Sequence, residues 1–237
     1  MLGDDAPITP LMNLASGVLR LGEQKDSLLD FIAEQLLNWK SEDSAVLEEA
    51  EDLLTSQLSD FLNEAAHISD GWSWIHFQTE RPDAVDRTRR LDMAAKPIKT
   101  VIIAERPYTR NAVLLPIECK RLPAPKPKHR EREYVASTKG TTGGIQRFKL
   151  GKHAGDHALA AMIGYVQKGR PVDWFTTVNG WISALASGVG SGWTNEDCLT
   201  LDEDTGEVCR LTSHHDRGSK HLPIELRHLW ISLDRGT

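Results

Sequence analysis

Cysteine is scarce: Cys119, Cys198 and Cys209 are the only three in 237 residues. That is too few for a disulfide scaffold, and the odd number favours a reducing compartment. Long hydrophobic runs are missing too, none approaching the roughly 18 residues that cross a bilayer. The opening MLGDDAPITPLMNL has neither the basic start nor the continuous apolar stretch of a secretion signal. These absences argue against secreted disulfide frameworks and membrane spans, and the expectation is a soluble cytoplasmic protein with no membrane partner. Net positive charge is also lacking, with 28 Lys and Arg against 34 Asp and Glu, a balance of −6. As a total, that speaks against a nucleic-acid partner.

The acid is unevenly spread. Residues 1–70 carry 15 acids and 3 bases, a net of −12, whereas residues 120–152 carry 10 bases and 2 acids, a net of +8. The intervening block 71–119 is close to neutral at +2, and 153–237 stands at −4. An acidic chain can therefore hold one concentrated basic stretch, and nucleic acid would bind there.

Apolar spacing predicts a helix over Ser27–Trp39 and a longer one from a Ser44 cap to about Ala66. In the second, Leu47, Ala50, Leu54, Leu58, Phe61 and Ala65 fall in one stripe, with Glu51 inside it. A carboxylate within an apolar stripe breaks a local rule, and such breaks often mark sites. Strands are expected at Trp72–Thr79, Arg90–Lys96, Lys99–Glu105 and Ala112–Arg121. A Pro/Lys-rich loop at Leu122–Arg132 and a Gly143-Gly144 entry into a short helix follow. Leu159–Val166 fits either a helix or a buried strand, and Val172–Ser187 reads as a helix. The C-terminal part reads as β-rich, with Cys198 and Cys209 on either side of the turn at Asp202–Gly206 and so able to face one another across a hairpin. His214 and His215 nearby raise a zinc site, though the spacing fits no familiar ligand pattern.

The most informative residues are Pro116-Ile117-Glu118-Cys119-Lys120-Arg121 at the end of an apolar strand. Period-two alternation puts Glu118 and Lys120 on one face. A carboxylate and an ammonium placed this way suit metal-assisted phosphodiester hydrolysis, in which the carboxylate and the intervening backbone carbonyl hold Mg²⁺. A second acid must complete such a site. The cluster Ser213-His214-His215-Asp216-Arg217 invites comparison with a hydrolase triad. Contiguous residues do not present triad geometry, so a structural polar network is the expected reading, ahead of a phosphate-contacting face formed by His215 and Arg217.

The order helix, three strands, helix, strand, with Glu-x-Lys closing the third strand, resembles the core of the PD-(D/E)xK nuclease superfamily over roughly residues 44–168. The resemblance implies an α/β protein of restriction-endonuclease-like fold, with an αβββαβ core around a mixed central sheet. A helical extension (1–43) would precede the nuclease core (44–190), and a β-rich addition (191–237) would follow it. It assigns Leu159–Val166 to a strand. It implies a Mg²⁺-dependent (or Mn²⁺-dependent) phosphodiester hydrolase acting on DNA in preference to RNA. Such enzymes work in prokaryotic defence or DNA processing, beside a partner subunit or as homodimers. The residues carried over are Asp92, Glu118 and the carbonyl of Cys119 as metal ligands, Glu51 as the first-helix acid, Lys120 to orient water, and Gln146 to position Lys120 or substrate. Arg121, Lys126, Lys128, Arg147, Lys149 and Lys152 would contact the nucleic acid backbone. No literal Pro-Asp precedes the second strand, and the long interval from Asp92 to Glu118 leaves Glu105 or a residue near Lys99 as competitors for the second acid. A member of this fold without catalysis, acting as a nucleic-acid-binding or assembly subunit, is the alternative.

Overall fold

A computed structural model describes residues 21–42, 50–83, 90–103, 105–137 and 140–234. Ser44 and Leu47, read above as a cap and a stripe position, lie outside these.

Two apolar-striped helices open the described chain. Helix α1 (Leu21–Ser41) buries Leu28, Ile32, Leu36 and Trp39, and α2 (Glu51–Ile68) buries Leu54, Leu58, Leu62 and Ala65. The three-and-four spacing gives each helix one continuous face to bury. The strand expected at Trp72 starts three residues later, because Trp72 and Trp74 sit in the preceding turn, stacked at 6.5 Å, with the Trp74 indole donating to Gly71 O. The strands that follow are β1 (Ile75–Pro82), β2 (Arg90–Pro97), β3 (Val101–Ile103), β4 (Arg106–Tyr108) and β5 (Leu115–Leu122). Helix α3 (Gly144–Lys149), β6 (Leu159–Val166), α4 (Pro171–Ala186), β7 (Thr200–Asp204), β8 (Val208–His215) and β9 (Ile224–Ser232) complete the order.

Seven of these strands form one mixed sheet in the order β1-β2-β5-β6-β9-β8-β7. The centre, β5-β6-β9, is parallel, and both flanks are antiparallel. The protein is thus α/β, and the C-terminal strands extend the same sheet. Among the described residues no helix is long and apolar enough to cross a membrane.

Two apolar clusters cover the sheet. One joins α1 and α2 to Ile117, Cys119, Ile163, Tyr165 and Ile231, and the other joins α3 and α4 to Met162, Cys209, Leu211, Leu226 and Trp230. A sheet covered on both faces needs near-continuous apolar strands, and β5 is buried along almost its whole length. Glu118 and Lys120 are the exceptions in composition, buried though charged. Gly164 of β6 pairs with Trp230 of β9, and a Cβ on it would lie 2.3 Å from the Trp230 ring. Only a glycine lets that indole lie flat against the strand.

The insert between Asp92 and Glu118 forms β3 and β4, a two-stranded hairpin outside the main sheet. Glu105 lies at its tip, exposed, with φ of 63°. This excludes Glu105 as the second acid. The partner of β5 is β2, with Met93 opposite Ile117 and Ala94 opposite Pro116. One further antiparallel step sets Asp92 beside Glu118, so no residue near Lys99 takes that place.

The two C-terminal cysteines do not face each other. Cys209 pairs with Asp204 and donates its thiol to that carboxylate at 3.3 Å, while Cys198 precedes β7 with its sulfur 3.8 Å from Ser183 Oγ. The chain reverses at residues 205–207, later than the turn expected at Asp202–Gly206, so Thr200 pairs with Thr212 and Cys198 lies before the ladder; a bulge between Leu201 and Glu203 moves the register by one more residue. Both remain free thiols.

Candidate functional site: four oxygens around one ammonium

The site lies where α2 begins and where β2 and β5 run side by side. Glu51 is the first residue of α2, which places its carboxylate at the helix start. Asp92 arrives from β2, and Glu118 and Lys120 project from β5.

The Lys120 ammonium is the meeting point. It lies 2.9 Å from Glu51 Oε1, 3.1 Å from Asp92 Oδ2 and 3.1 Å from Glu118 Oε1, and it donates to its neighbour's carbonyl, Cys119 O, at 2.7 Å. Two of these acids also grip the strand's backbone. Asp92 Oδ2 accepts the Cys119 N–H at 2.9 Å and Glu51 Oε2 accepts the Arg121 N–H at 3.0 Å. The backbone on both sides of Lys120 is therefore fixed, and the Cys119 carbonyl is aimed at the same point as the carboxylates.

Glu118 is fully buried and held by three cationic or proton-bearing groups. Arg147 of α3 donates to its Oε1, and His153 Nδ1 stands 3.4 Å from Oε2. Neither Glu118 Oε2 nor His153 Nδ1, both buried, completes a hydrogen bond. Burial pushes the Glu118 carboxyl up, but Lys120, His153 and Arg147 together outweigh it and bring the pKa down to about 2. Asp92 has fewer compensations, so burial and then the charge of Glu118 raise it to about 6. Burial works against the Lys120 charge, yet the three carboxylates hold its proton well above the ordinary lysine range.

Four oxygens converging on a cation, three from carboxylates and one from a backbone carbonyl, form the donor set of a hard divalent ion such as Mg²⁺. The residues present therefore fit such an ion in chemistry. Among the described residues no three His, Cys, Asp or Glu side chains are gathered as a ready metal cage. The oxygens stand at ammonium distances, wider than the roughly 2.0–2.1 Å that Mg²⁺ demands.

Other expected positions fall elsewhere. Gln146 directs its amide oxygen to the N–H groups of Ser137 and Gly143, bracing the start of α3, and so is not the residue beside Lys120. The next residue, Arg147, reaches the site through Glu118. The basic stretch is likewise only partly an open surface. Arg147 pairs with Glu118, Lys149 with Asp197, and Lys152 with Thr141, while Arg121 is half-buried. Lys126 and Lys128 stay exposed on the loop after β5.

Gly143 and Gly144 serve packing. A Cβ on Gly143 would sit 2.3 Å from Ala136 Cα, and one on Gly144 would sit 2.6 Å from Met162 Cε and 3.4 Å from Lys120 Cγ. Gly143→Ala must push α3 off the backbone beside it, and Arg147 moves with α3. The expected cost is about 2–3 kcal/mol in urea unfolding. A loss under about 0.5 kcal/mol would show that α3 is not pressed against this loop.

The Ser-His-Asp cluster resolves into an interior network. Ser213 Oγ meets His215 Nε2 and His228 Nε2, each at 2.8 Å, His215 Nδ1 meets Asp197 Oδ1 at 2.7 Å, and Tyr134 OH joins His228 Nδ1 to Trp230 Nε1 at 2.7 Å each. The connectivity is that of a triad, but with Asp197 as its acid rather than the adjacent Asp216. Ser213 is only 1% exposed, so its hydroxyl has no access to substrate. Arg217 is also internal, donating to the carbonyls of Ala154, His157 and Leu222. His215 and Arg217 therefore form no phosphate-contacting face. Sequence reasoning missed His153 and the inward turn of Arg147. Their partner Glu118 is on another element, and no local pattern announces such a pairing.

Compared with family models, curated proteins and solved structures, the chain matches none of them.

Proposed function

We propose that this chain is a divalent-cation-dependent nuclease of restriction-endonuclease-like fold, hydrolysing phosphodiester bonds in DNA in preference to RNA. The observation that carries the reading is the convergence of Glu51, Asp92, Glu118 and the Cys119 carbonyl on one cation. They are the four groups that the sequence resemblance implies as metal ligands. The order of α2, β1, β2, β5, α3 and β6 also supports it.

Glu51, Asp92, Glu118 and the Cys119 carbonyl would hold Mg²⁺ or Mn²⁺. The bound ion would supply positive charge to the phosphate and make an attacking water more acidic. Arg147 and His153 keep Glu118 anionic and fixed in place. Asp92 and Glu51 hold the backbone so that the carbonyl stays aimed. Lys120, once released from the carboxylates, has the charge to neutralise a phosphate oxygen or hold a water by hydrogen bond. Lys126 and Lys128, exposed on the loop after β5, would meet a strand's phosphates.

The test is hydrolysis of single- and double-stranded DNA and RNA with Mg²⁺ or Mn²⁺. Cleavage should appear with either ion, disappear in chelator, and be lost in Lys120→Ala. Cleavage that survives Lys120→Ala and chelation removes the assignment. One observation favours a second reading, a non-catalytic nucleic-acid-binding or assembly subunit of the same fold: the position a metal would take is held by the chain's own ammonium. That reading predicts salt-dependent nucleic acid affinity with no cleavage.

A further inference from the structure

Lys120 does more here than a lysine beside an acidic site must do. An ion pair with one carboxylate would neutralise it, yet its ammonium touches three carboxylates and a carbonyl, all within 2.7–3.1 Å. The lysine is 5% exposed, so these contacts replace nearly all of its water. The three acids come from α2, β2 and β5, and the central ammonium is the one cation among the described contacts that touches all three and offsets their mutual repulsion. Arg147 shares the Glu118 Oε1 atom with Lys120 but touches neither Glu51 nor Asp92 among the contacts described.

We infer that Lys120 is an internal competitor for the divalent cation: its ammonium fills the cation position in the resting protein and must leave for the ion to enter. The inference rests on the nuclease reading and adds a regulatory property to that site. An ammonium carries one charge on three fixed protons, whereas a divalent ion carries two and takes more oxygen ligands. Exchange is therefore favourable for the carboxylates and unfavourable for the lysine, which must find another anion. A nucleic acid phosphate at the mouth of the site meets that need. Loading of metal and arrival of substrate then become linked, each raising the affinity of the other.

The experiment is Mn²⁺ binding by the full chain without nucleic acid, followed by electron paramagnetic resonance and calorimetry, for wild type, Lys120→Met and Lys120→Gln. Removing the competitor should tighten Mn²⁺ binding by about tenfold or more in both variants. Mn²⁺ should also raise their melting temperatures far more than the wild type's, since the ion takes over the lost ammonium's role. Variants that are unfolded in chelator but fold on adding Mn²⁺ support the inference equally. Binding in the variants that is no tighter than in wild type overturns it while leaving the metal site standing. Variants that stay unfolded at saturating Mn²⁺ also overturn it, because the ion then cannot replace the ammonium. Absence of Mn²⁺ binding in all three folded proteins removes both the inference and the nuclease reading.

Discussion

On the nuclease reading proposed above, Glu118→Gln is expected to lower phosphodiester cleavage by about 10³-fold, at the upper end of the loss seen when one preorganised electrostatic group is taken from a catalytic centre. Glutamine keeps the shape of the side chain, removes its charge and turns one of its two acceptor oxygens into an NH2 donor. The charge is what matters, because Glu118 is the one acid of the three with no exposed surface and the one held anionic by three neighbours. The same change leaves Arg147 with no described carboxylate partner and Lys120 with two carboxylates instead of three. Stability should therefore fall as well, by about 3 kcal/mol or more if the buried charges cannot relax. The two effects separate by experiment. Rates are measured at a temperature where circular dichroism shows the variant folded, and unfolding is followed in urea. A folded Glu118→Gln that cleaves within about tenfold of wild type would dismiss Glu118 as a ligand and return the site to a structural ion cluster.

The second large effect is on stability in acid. His228 is fully buried between Tyr134 and Ser213, with His215 beyond Ser213. Burial, and then the neighbouring His215, lower its pKa from 6.5 to about 3. The folded protein therefore keeps it neutral where the unfolded chain protonates it. Its contribution is fully present above about pH 6.5 and is lost as the pH falls toward 3, about 2–3 kcal/mol at pH 4.5. His215 acts in the same direction, since burial lowers its pKa too. Asp92 acts in the opposite direction: with a folded pKa of about 6, its burial costs least in acid and most above pH 6. Glu118 stays out of this window, its loss beginning only near its unfolded value of 4.5. Urea midpoints at pH 7 and pH 4.5 should thus show wild type losing more than His228→Gln, by about the contribution of that one imidazole. Equal losses in the two proteins would mean that the Tyr134–Ser213 pocket admits water and a proton.

Much of this was written in local pattern. Glu51 is visible because it interrupts a helical stripe, and Glu118 with Lys120 because they interrupt an apolar strand. A pattern of faces suffices to find a charge that should not be buried. Asp92 is less legible, since the choice between it and Glu105 depends on where the chain between β2 and β5 goes. The β3–β4 hairpin leaves the sheet, and nothing in Lys99–Glu105 distinguishes a strand that joins from one that departs. Period and propensity are the same in both. The clamp on Glu118 was not legible at all: Arg147 and His153 are 29 and 35 positions away from it, and the meeting is made by α3 packing across the sheet. The same limit explains Gln146, which a resemblance placed at the site while the helix turned its neighbour inward. The interior network is a mixed case. Ser213 and His215 share a face by period-two alternation, but Asp197, His228 and Tyr134 join them only through the tertiary fold.

The parallel centre of the sheet has a consequence for when the site comes into being. Strand β6 pairs with β5 on one side and β9 on the other, so its central position is complete only when residues 224–232 have arrived. The carboxylate of Glu51 and the ammonium of Lys120 are 69 positions apart along the chain. Closures of that length are slow compared with forming a helix or hairpin. A chain in which α2, β2 and β5 have not yet met carries the acids and the lysine as separate groups open to water. The capacity to gather a cation thus belongs to the packed helix and sheet and to none of these segments alone, together with the burial that makes the charges act on one another.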